Sequence, residues 1–209
     1  MPPKVKFTKD EIVHAALNVA RAKGLAAVTT RDIAAELSVS TRPIFTYFKS
    51  MAEVREAILH AAEKIYQEYL FVGLREPVPF YGFGMQHLHF ASDEPQLYRM
   101  LFLDSPVGKN RAMNTLDRAR GLVHDCVAQN YLLSDEAADR LIRDMLLVVH
   151  SLGTLIVTGG CSYTLDEMGA ILTGFCLSLC KAYKEIPGFV ENDFDRDAMF
   201  RQIIHGSGK

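Results

Sequence analysis

Val28 to Glu53 reads VTTRDIAAELSVSTRPIFTYFKSMAE, and this stretch decides the fold. Arg31 to Leu37 forms a first helix by pattern, with Ile33, Ala34 and Leu37 on one inward stripe. Ser38-Val39 is a short turn whose valine can plug the corner between two helices. Ser40 suits an N-cap, because its hydroxyl accepts from an orphan backbone N–H of the next turn. Thr41 to Tyr47 follows as a second helix, with Ile44, Phe45 and Phe48 available for packing. Pro43 falls in its first turn, where a missing N–H costs little. Two helices joined so tightly match a motif whose second helix enters the DNA major groove by its N-terminal residues.

Outward from this stretch, Phe7-Thr8-Lys9-Asp10-Glu11-Ile12 is a complete helix start. Thr8 and Glu11 make a capping box, and Phe7 with Ile12 a hydrophobic staple. That helix runs to a stop at Gly24. Ser50 to Glu53 reads as another capping box, opening a long helix to about Val72 that would connect an N-terminal head to the body. After the break at Glu76-Pro77-Val78-Pro79, the pattern predicts helices over Phe80–Ser92 and Glu94–Leu103. A loop at Ser105-Pro106-Val107-Gly108 and a long helix over Lys109–Tyr131 follow. Ser134 caps a helix through about Val157, and Thr164 with Glu167 caps one ending near Tyr183. A short helix over Arg196–Ile204 ends the pattern. No strand pattern of convincing length and no internal repeat interrupts this all-α reading. It divides the chain into a helix-turn-helix domain over 1–50 and a larger helical domain over 51–209.

The 209 residues are 49% hydrophobic and 23% charged, enough apolar material for a real core. The net charge of −2 conceals a split: residues 1–50 hold eight Lys/Arg against four Asp/Glu, leaving +4 there and −6 elsewhere. Positive charge gathered on the head suits attraction to phosphates.

The N-terminal signature resembles the TetR family of transcriptional regulators. It is carried by Gly24, Thr29-Thr30-Arg31, Ile33-Ala34, Val39-Ser40 and Phe45-Thr46-Tyr47-Phe48-Lys49, across roughly residues 8 to 56. Phe45 stands where the family usually has a tyrosine, and Met51 where a lysine is common. The segment Phe90–Phe102 is similar to the C-terminal domain of one subgroup, named for a Trp-His-Gly triplet. Val149-His150-Ser151-Leu152 falls where that triplet would be, with His150 matching and Ser151 replacing the glycine. The resemblance implies a homodimeric, sequence-specific regulator, with 51–209 as its ligand-binding and dimerisation domain. It would be a repressor that leaves palindromic double-stranded operator DNA when an unknown small, mostly apolar effector binds.

On that reading Thr41 and Arg42 lie at the groove-facing end, with Arg42 able to make a bidentate contact to guanine. Pro43 offers apolar contact to a thymine methyl. Thr30, Thr46, Tyr47 and Lys49 are placed for phosphates, beside the capping Ser40, and the Tyr47 hydroxyl can stand in for the one Phe45 lacks. The ligand candidates are His87, Phe90, Tyr98, Met100, Phe102, His124, His150 and Phe175 on the middle helices. Ile65, Tyr66 and Tyr69 of the connecting helix are expected nearest the cavity. Ala170, Gly174 and Ser178 form a small-residue stripe flanked by Leu172, Phe175 and Leu179. With Ser151, Thr154 and Thr158 on the preceding helix, they suit an intermolecular four-helix bundle.

Other chemistries find less support. Ser, His and Asp occur in no nucleophile-elbow or metal spacing, so no catalytic residue, metal or cofactor is expected. A helical ligand-binding protein or an enzyme that does not bind DNA is the alternative. Cys126, Cys161, Cys176 and Cys180 form no CxxC pair and follow no secretory segment, which suits a reducing cytoplasm. Cys176 and Cys180, one turn apart, could hold a metal or sense oxidants, or serve as small buried apolar groups. Met145–Leu165 lacks formal charge and has membrane-spanning length. Its polar residues and the Gly159-Gly160 pair instead favour a buried core helix.

Overall fold

The computed structural model describes residues 7–104 and 111–205, so the loop expected at Ser105–Gly108 and the helix start at Lys109 lie outside the described residues. Within them the chain is helical throughout: α1 Lys9–Lys23, α2 Thr30–Glu36, α3 Arg42–Tyr47, α4 Met51–Gly73, α5 Pro79–Asp93, α6 Pro95–Tyr98, α7 Arg111–Tyr131, α8 Asp135–Thr158, α9 Leu165–Glu185 and α10 Arg196–His205.

Local chemistry sets most of these boundaries. Thr8 and Glu11 form the reciprocal capping box at α1, Gly24 ends that helix at φ 80°, and Thr164 with Glu167 repeats the box at α9. Ser134 accepts from Ala137 N–H at the start of α8, and Gly159 closes that helix in the left-handed region. Three expectations need correction. Ser40 caps nothing: α3 begins after Thr41, which makes no side-chain cap bond. The Ser50–Glu53 box is only half formed, because Glu53 accepts from Lys49 N–H while Ser50 accepts from Glu53 N–H. The helix expected over Glu94–Leu103 is split, α6 passing into a π-helical turn over Arg99–Leu103.

The turn of the helix-turn-helix closes through a Schellman pair. Ser38 N–H donates to Ala35 O at 3.0 Å and Val39 N–H to Ala34 O at 2.9 Å. This holds Ser38 at φ 54°, a conformation usually left to glycine.

α1, α2 and α3 surround Ile12, Ala16, Ile33, Ile44 and Phe48, all buried, and α4 leads from this head into the body. In the body α5 lies between α4 and α8, while α7 and α9 flank α8. Gly73 and Gly82 allow α4 and α5 to meet backbone to backbone: a Cβ at Gly73 would sit 2.4 Å from the Gly82 carbonyl. α8 is long and apolar enough to cross a membrane by composition. Its Leu141, Ile142, Met145, Leu146, Val149 and Leu152 are nevertheless buried, against α5, α7 and α9. That packing suits the core-helix reading.

Candidate DNA-reading face and effector core

α3 is only six residues long, and its apolar side chains divide sharply. Ile44 and the following Phe48 plug the head, whereas Phe45 is 54% exposed and does not pack. A helix of fewer than two turns does not repeat its period, so the apolar pattern alone could not assign Phe45 a face. Arg42, Thr46, Tyr47, Lys49 and Ser40 are exposed, and Thr30, Thr41 and Pro43 half-exposed. Every residue singled out for DNA is therefore accessible. Phe45 joins them as an exposed apolar group on the same helix, suited to a thymine methyl. The Tyr47 hydroxyl is already engaged, donating to Phe7 O at 2.8 Å and pinning the chain before α1. It reaches a phosphate only by giving up that bond.

Thr29 supplies a capping box that the sequence reading passed over. Its hydroxyl accepts from Asp32 N–H and donates to Asp32 Oδ2, while Lys23 reaches Asp32 Oδ1 at 2.6 Å. These contacts hold the Asp32 carboxyl below its ordinary value, the Lys23 bond contributing most.

In the body, five of the eight ligand candidates come together. Tyr66 of α4 bonds His87 Nδ1 at 2.8 Å, and His87 Nε2 lies 3.4 Å from the Tyr98 hydroxyl. Tyr98 in turn lies 2.9 Å from His150 Nδ1 and donates to His150 O at 3.0 Å. Phe90 and Phe102 pack against this chain, the Tyr98 and Phe102 rings 4.7 Å apart. Phe102 lies in the π-helical turn, four residues beyond Tyr98. Gly153 makes the room, since a Cβ there would lie 2.6 Å from the Tyr98 oxygen.

Burial governs the protonation of this chain. His87 is pushed down to about 3 by burial first and by neighbouring His150 second, so it is neutral at physiological pH. His150 is lowered by burial, and both Tyr66 and Tyr98 are raised above the ordinary phenol value by the same cause.

The remaining candidates lie apart or outside these ring contacts. Met100 is buried in the π-helical turn. His124 sits near the surface, with Asp125 Oδ1 at 3.2 Å and Asp139 Oδ1 at 3.8 Å. Phe175 is 50% exposed on α9 and shares the outward face of the small-residue stripe. Tyr66, His87, Phe90 and Tyr98 are buried and pack ring against ring. Beside them, between α5, α8 and α9, is an apolar cavity of about 30 Å³ lined by Phe83, Gly84, Met145, Leu146, Val149 and Cys176, among others. Among the described residues, no group of three or more His, Cys, Asp or Glu is arranged to hold a metal ion.

Sequence reasoning missed one further connection. Arg21 of α1 grips Glu94 with two hydrogen bonds, at 2.9 and 2.7 Å, across 73 residues of sequence. Glu94 leads directly into α6 and Tyr98, so the fork joins the head to the ring cluster.

The fold and its exposed N-terminal motif define an all-helical protein with a helix-turn-helix head. Residues 12–58 match the family described as bacterial regulatory proteins, tetR family. Among solved structures, a tetR-family transcriptional regulator from Streptomyces coelicolor superposes with TM-score 0.67 at 16% identity, covering 94% of this chain and 93% of that one. A transcriptional regulator from Saccharomonospora viridis in complex with choline gives 0.59 at 18%, covering 79% and 93%. A TetR variant from Acinetobacter baumannii AYE in complex with minocycline gives 0.55 at 19%, covering 87% and 98%. No protein of curated function matches the chain.

Proposed function

We propose that this chain is a cytoplasmic, homodimeric repressor that binds a palindromic operator and releases it when a small, mostly apolar effector enters the body. The observation that carries the reading is the accessible α3 surface, with Arg42 at its start and Lys49 beyond its end, in residues 1–50, the segment that holds the net positive charge. The neighbours bound to choline and to minocycline support a ligand-responsive body. Residues 1–50 serve as the reading head and 51–209 as the sensing and pairing domain.

Pairing falls to the outer faces of α8 and α9. Ser151, Ala170, Gly174 and Ser178 are exposed there, beside Leu147, Phe175 and Leu177. Leu172, expected to flank the stripe, is instead buried, with Cδ1 within 3.4 Å of where a Gly84 Cβ would lie. The hydroxyls of Thr154, Thr158 and Ser178 bond carbonyls of their own helices, at 2.9, 2.8 and 2.8 Å. A second copy can therefore pack here without stranding them. A Cβ on Gly174 meets nothing within 4 Å, so Gly174→Leu spares the subunit and obstructs only a partner. Light scattering should show monomers; a dimer of unchanged strength would refute the placement.

Coupling runs through α4, which contributes Tyr66, and through the Arg21–Glu94 fork. An effector shifts the heads only by its differential affinity for two arrangements. The 30 Å³ cavity is far below the several hundred Å³ of a typical ligand site. The effector-bound state therefore requires α5, α8 and α9 to move apart around the Tyr–His chain. The decisive experiment is a gel shift on DNA flanking the chain's own gene. A salt-sensitive, sequence-specific shift is expected; its absence would leave the alternative of a helical ligand-binding protein.

A further inference from the structure

Tyr66 and His87 are sealed from solvent by helix seams of unequal strength. α4 and α5 meet backbone to backbone at Gly73 and Gly82. α5, α7 and α8 are joined by buried apolar side chains, among them Phe83, Leu88, Val123, Leu141 and Val149. The seam between α4 and α7 is built differently. Arg118 Nη2 bonds Glu63 Oε1 at 2.8 Å, and two turns earlier on both helices Arg111 Nη2 lies 3.5 Å from Glu56 Oε1. α4 touches α7 far less than it touches α5. Beside the Glu63–Arg118 pair is a crevice of about 10 Å³, with Tyr66, Leu70 and Ala119 among its walls. Tyr66 is the group that bonds His87 Nδ1. None of Tyr66, His87, Tyr98 and His150 walls the larger apolar cavity between α5, α8 and α9.

We propose that the α4–α7 seam is the entrance by which small uncharged molecules reach the Tyr66–His87 pair, and that the Glu63–Arg118 ion pair latches it. The entrance concerns access alone and stands whether or not the chain releases DNA.

The strengths of the seams favour this one. Glu63 is 18% exposed and Arg118 49%, so water screens the pair and it holds α4 to α7 only weakly. Arg118 also reaches the Thr115 hydroxyl at 3.4 Å, and so keeps a partner when Glu63 swings away. Parting the other seams would expose buried hydrocarbon, which water opposes in proportion to area. The charge of the entrant follows from what lies inside. Tyr66 and His87 are both uncharged at neutral pH, and Leu70 and Ala119 are apolar. A charged molecule would lose its hydration there with no opposite charge to receive it.

Diethyl pyrocarbonate, which carbethoxylates neutral imidazole, serves as the small uncharged probe, and peptide mass follows each histidine of the folded chain. The exposed His14 and His60 are the internal references, and His87 should label far more slowly than either. Glu63→Gln releases the latch at almost constant size. It should raise the His87 rate about two- to fivefold, the worth of a weak ion pair, and leave the references unchanged. Glu63→Leu combined with Arg118→Leu closes the seam by apolar contact and should return the rate to the parent value or below. Repeating the labelling in low urea separates an opening of one seam from unfolding. A local opening exposes little surface, so its rate should barely respond to urea. The proposal is overturned by a His87 rate that Glu63→Gln leaves unmoved, or that is as high in the double leucine variant. A rate as sensitive to urea as global unfolding overturns it too, as does a His87 that stays unlabelled in the parent and every variant.

Discussion

The head and the body of this molecule place their polar chemistry on opposite sides of the surface. In the head the core is apolar, Ile12, Ile33, Ile44 and Phe48, and the polar side chains of α3 face outward. In the body two tyrosines and two histidines form a hydrogen-bonded chain inside a ring cluster, with Tyr66 and His87 fully enclosed. A surface that reads a polymer can be assembled from one short motif. A buried polar centre must instead be assembled from distant helices, and each buried polar group needs its partner.

The sharpest way to break the comparison is at the α4–α5 contact, which holds Tyr66 against His87. Gly73→Ala drives a methyl into the Gly82 backbone at 2.4 Å, where no side-chain rotation gives relief. We expect a loss of about 3 kcal/mol or more, above the usual overpacking range because backbone must move. Urea unfolding measures it, and a loss below about 1 kcal/mol would show that the helices slide apart freely.

Acid provides the second test. His87 at about 3 stays neutral in the fold, whereas the unfolded chain takes up a proton below about 6.5. The unfolded state then binds more protons between those values, so stability must fall as pH falls through that window. By pH 5 the His87 contribution to the loss is about 2 kcal/mol, and His150, also lowered, acts in the same direction. His87→Gln should have a shallower pH dependence than the parent. Parallel curves for the two would mean that His87 is hydrated and outside the core.

What could be read in advance follows the same division. Capping boxes at Thr8–Glu11 and Thr164–Glu167 span four residues each, and both form as expected. The box at Thr29–Asp32 is just as local, with aspartate in place of the usual glutamate. The body's connections are not local. Tyr98 and His150 are 52 residues apart, and Arg21 and Glu94 are 73 apart. Composition could nominate the individual rings, but only packing pairs them. The same limit explains His124 and Phe175: residue type suggested a pocket, while helical phase turned both outward.

On the head the expected effects are smaller and are read through DNA. Arg42→Ala should relax specificity at one base pair per half-site, at a cost of about 1–3 kcal/mol, because no other exposed side chain at the start of α3 can bond guanine twice. Lys49→Ala should weaken all sequences alike and reduce the salt dependence. A randomised operator library separates the two. Equal loss across all bases for Arg42→Ala would assign that residue to phosphate.

The smallest effect bears most directly on how the head is held. Tyr47 offers one hydroxyl with two possible uses, and in this structure it donates to Phe7 O. If that bond is its function, Tyr47→Phe should cost about 0.5–1.5 kcal/mol of stability, the net worth of one hydrogen bond. DNA affinity measured below the melting range should then stay unchanged. If the hydroxyl swings to a phosphate on binding, affinity falls instead while stability falls less. The burial of Phe7 favours the first outcome, because Phe7 is partly buried against the hydrophobic core as well as bonded to Tyr47. Measuring stability and affinity on the same variant distinguishes them, and unchanged values for both would show that the bond to Phe7 contributes nothing net in water.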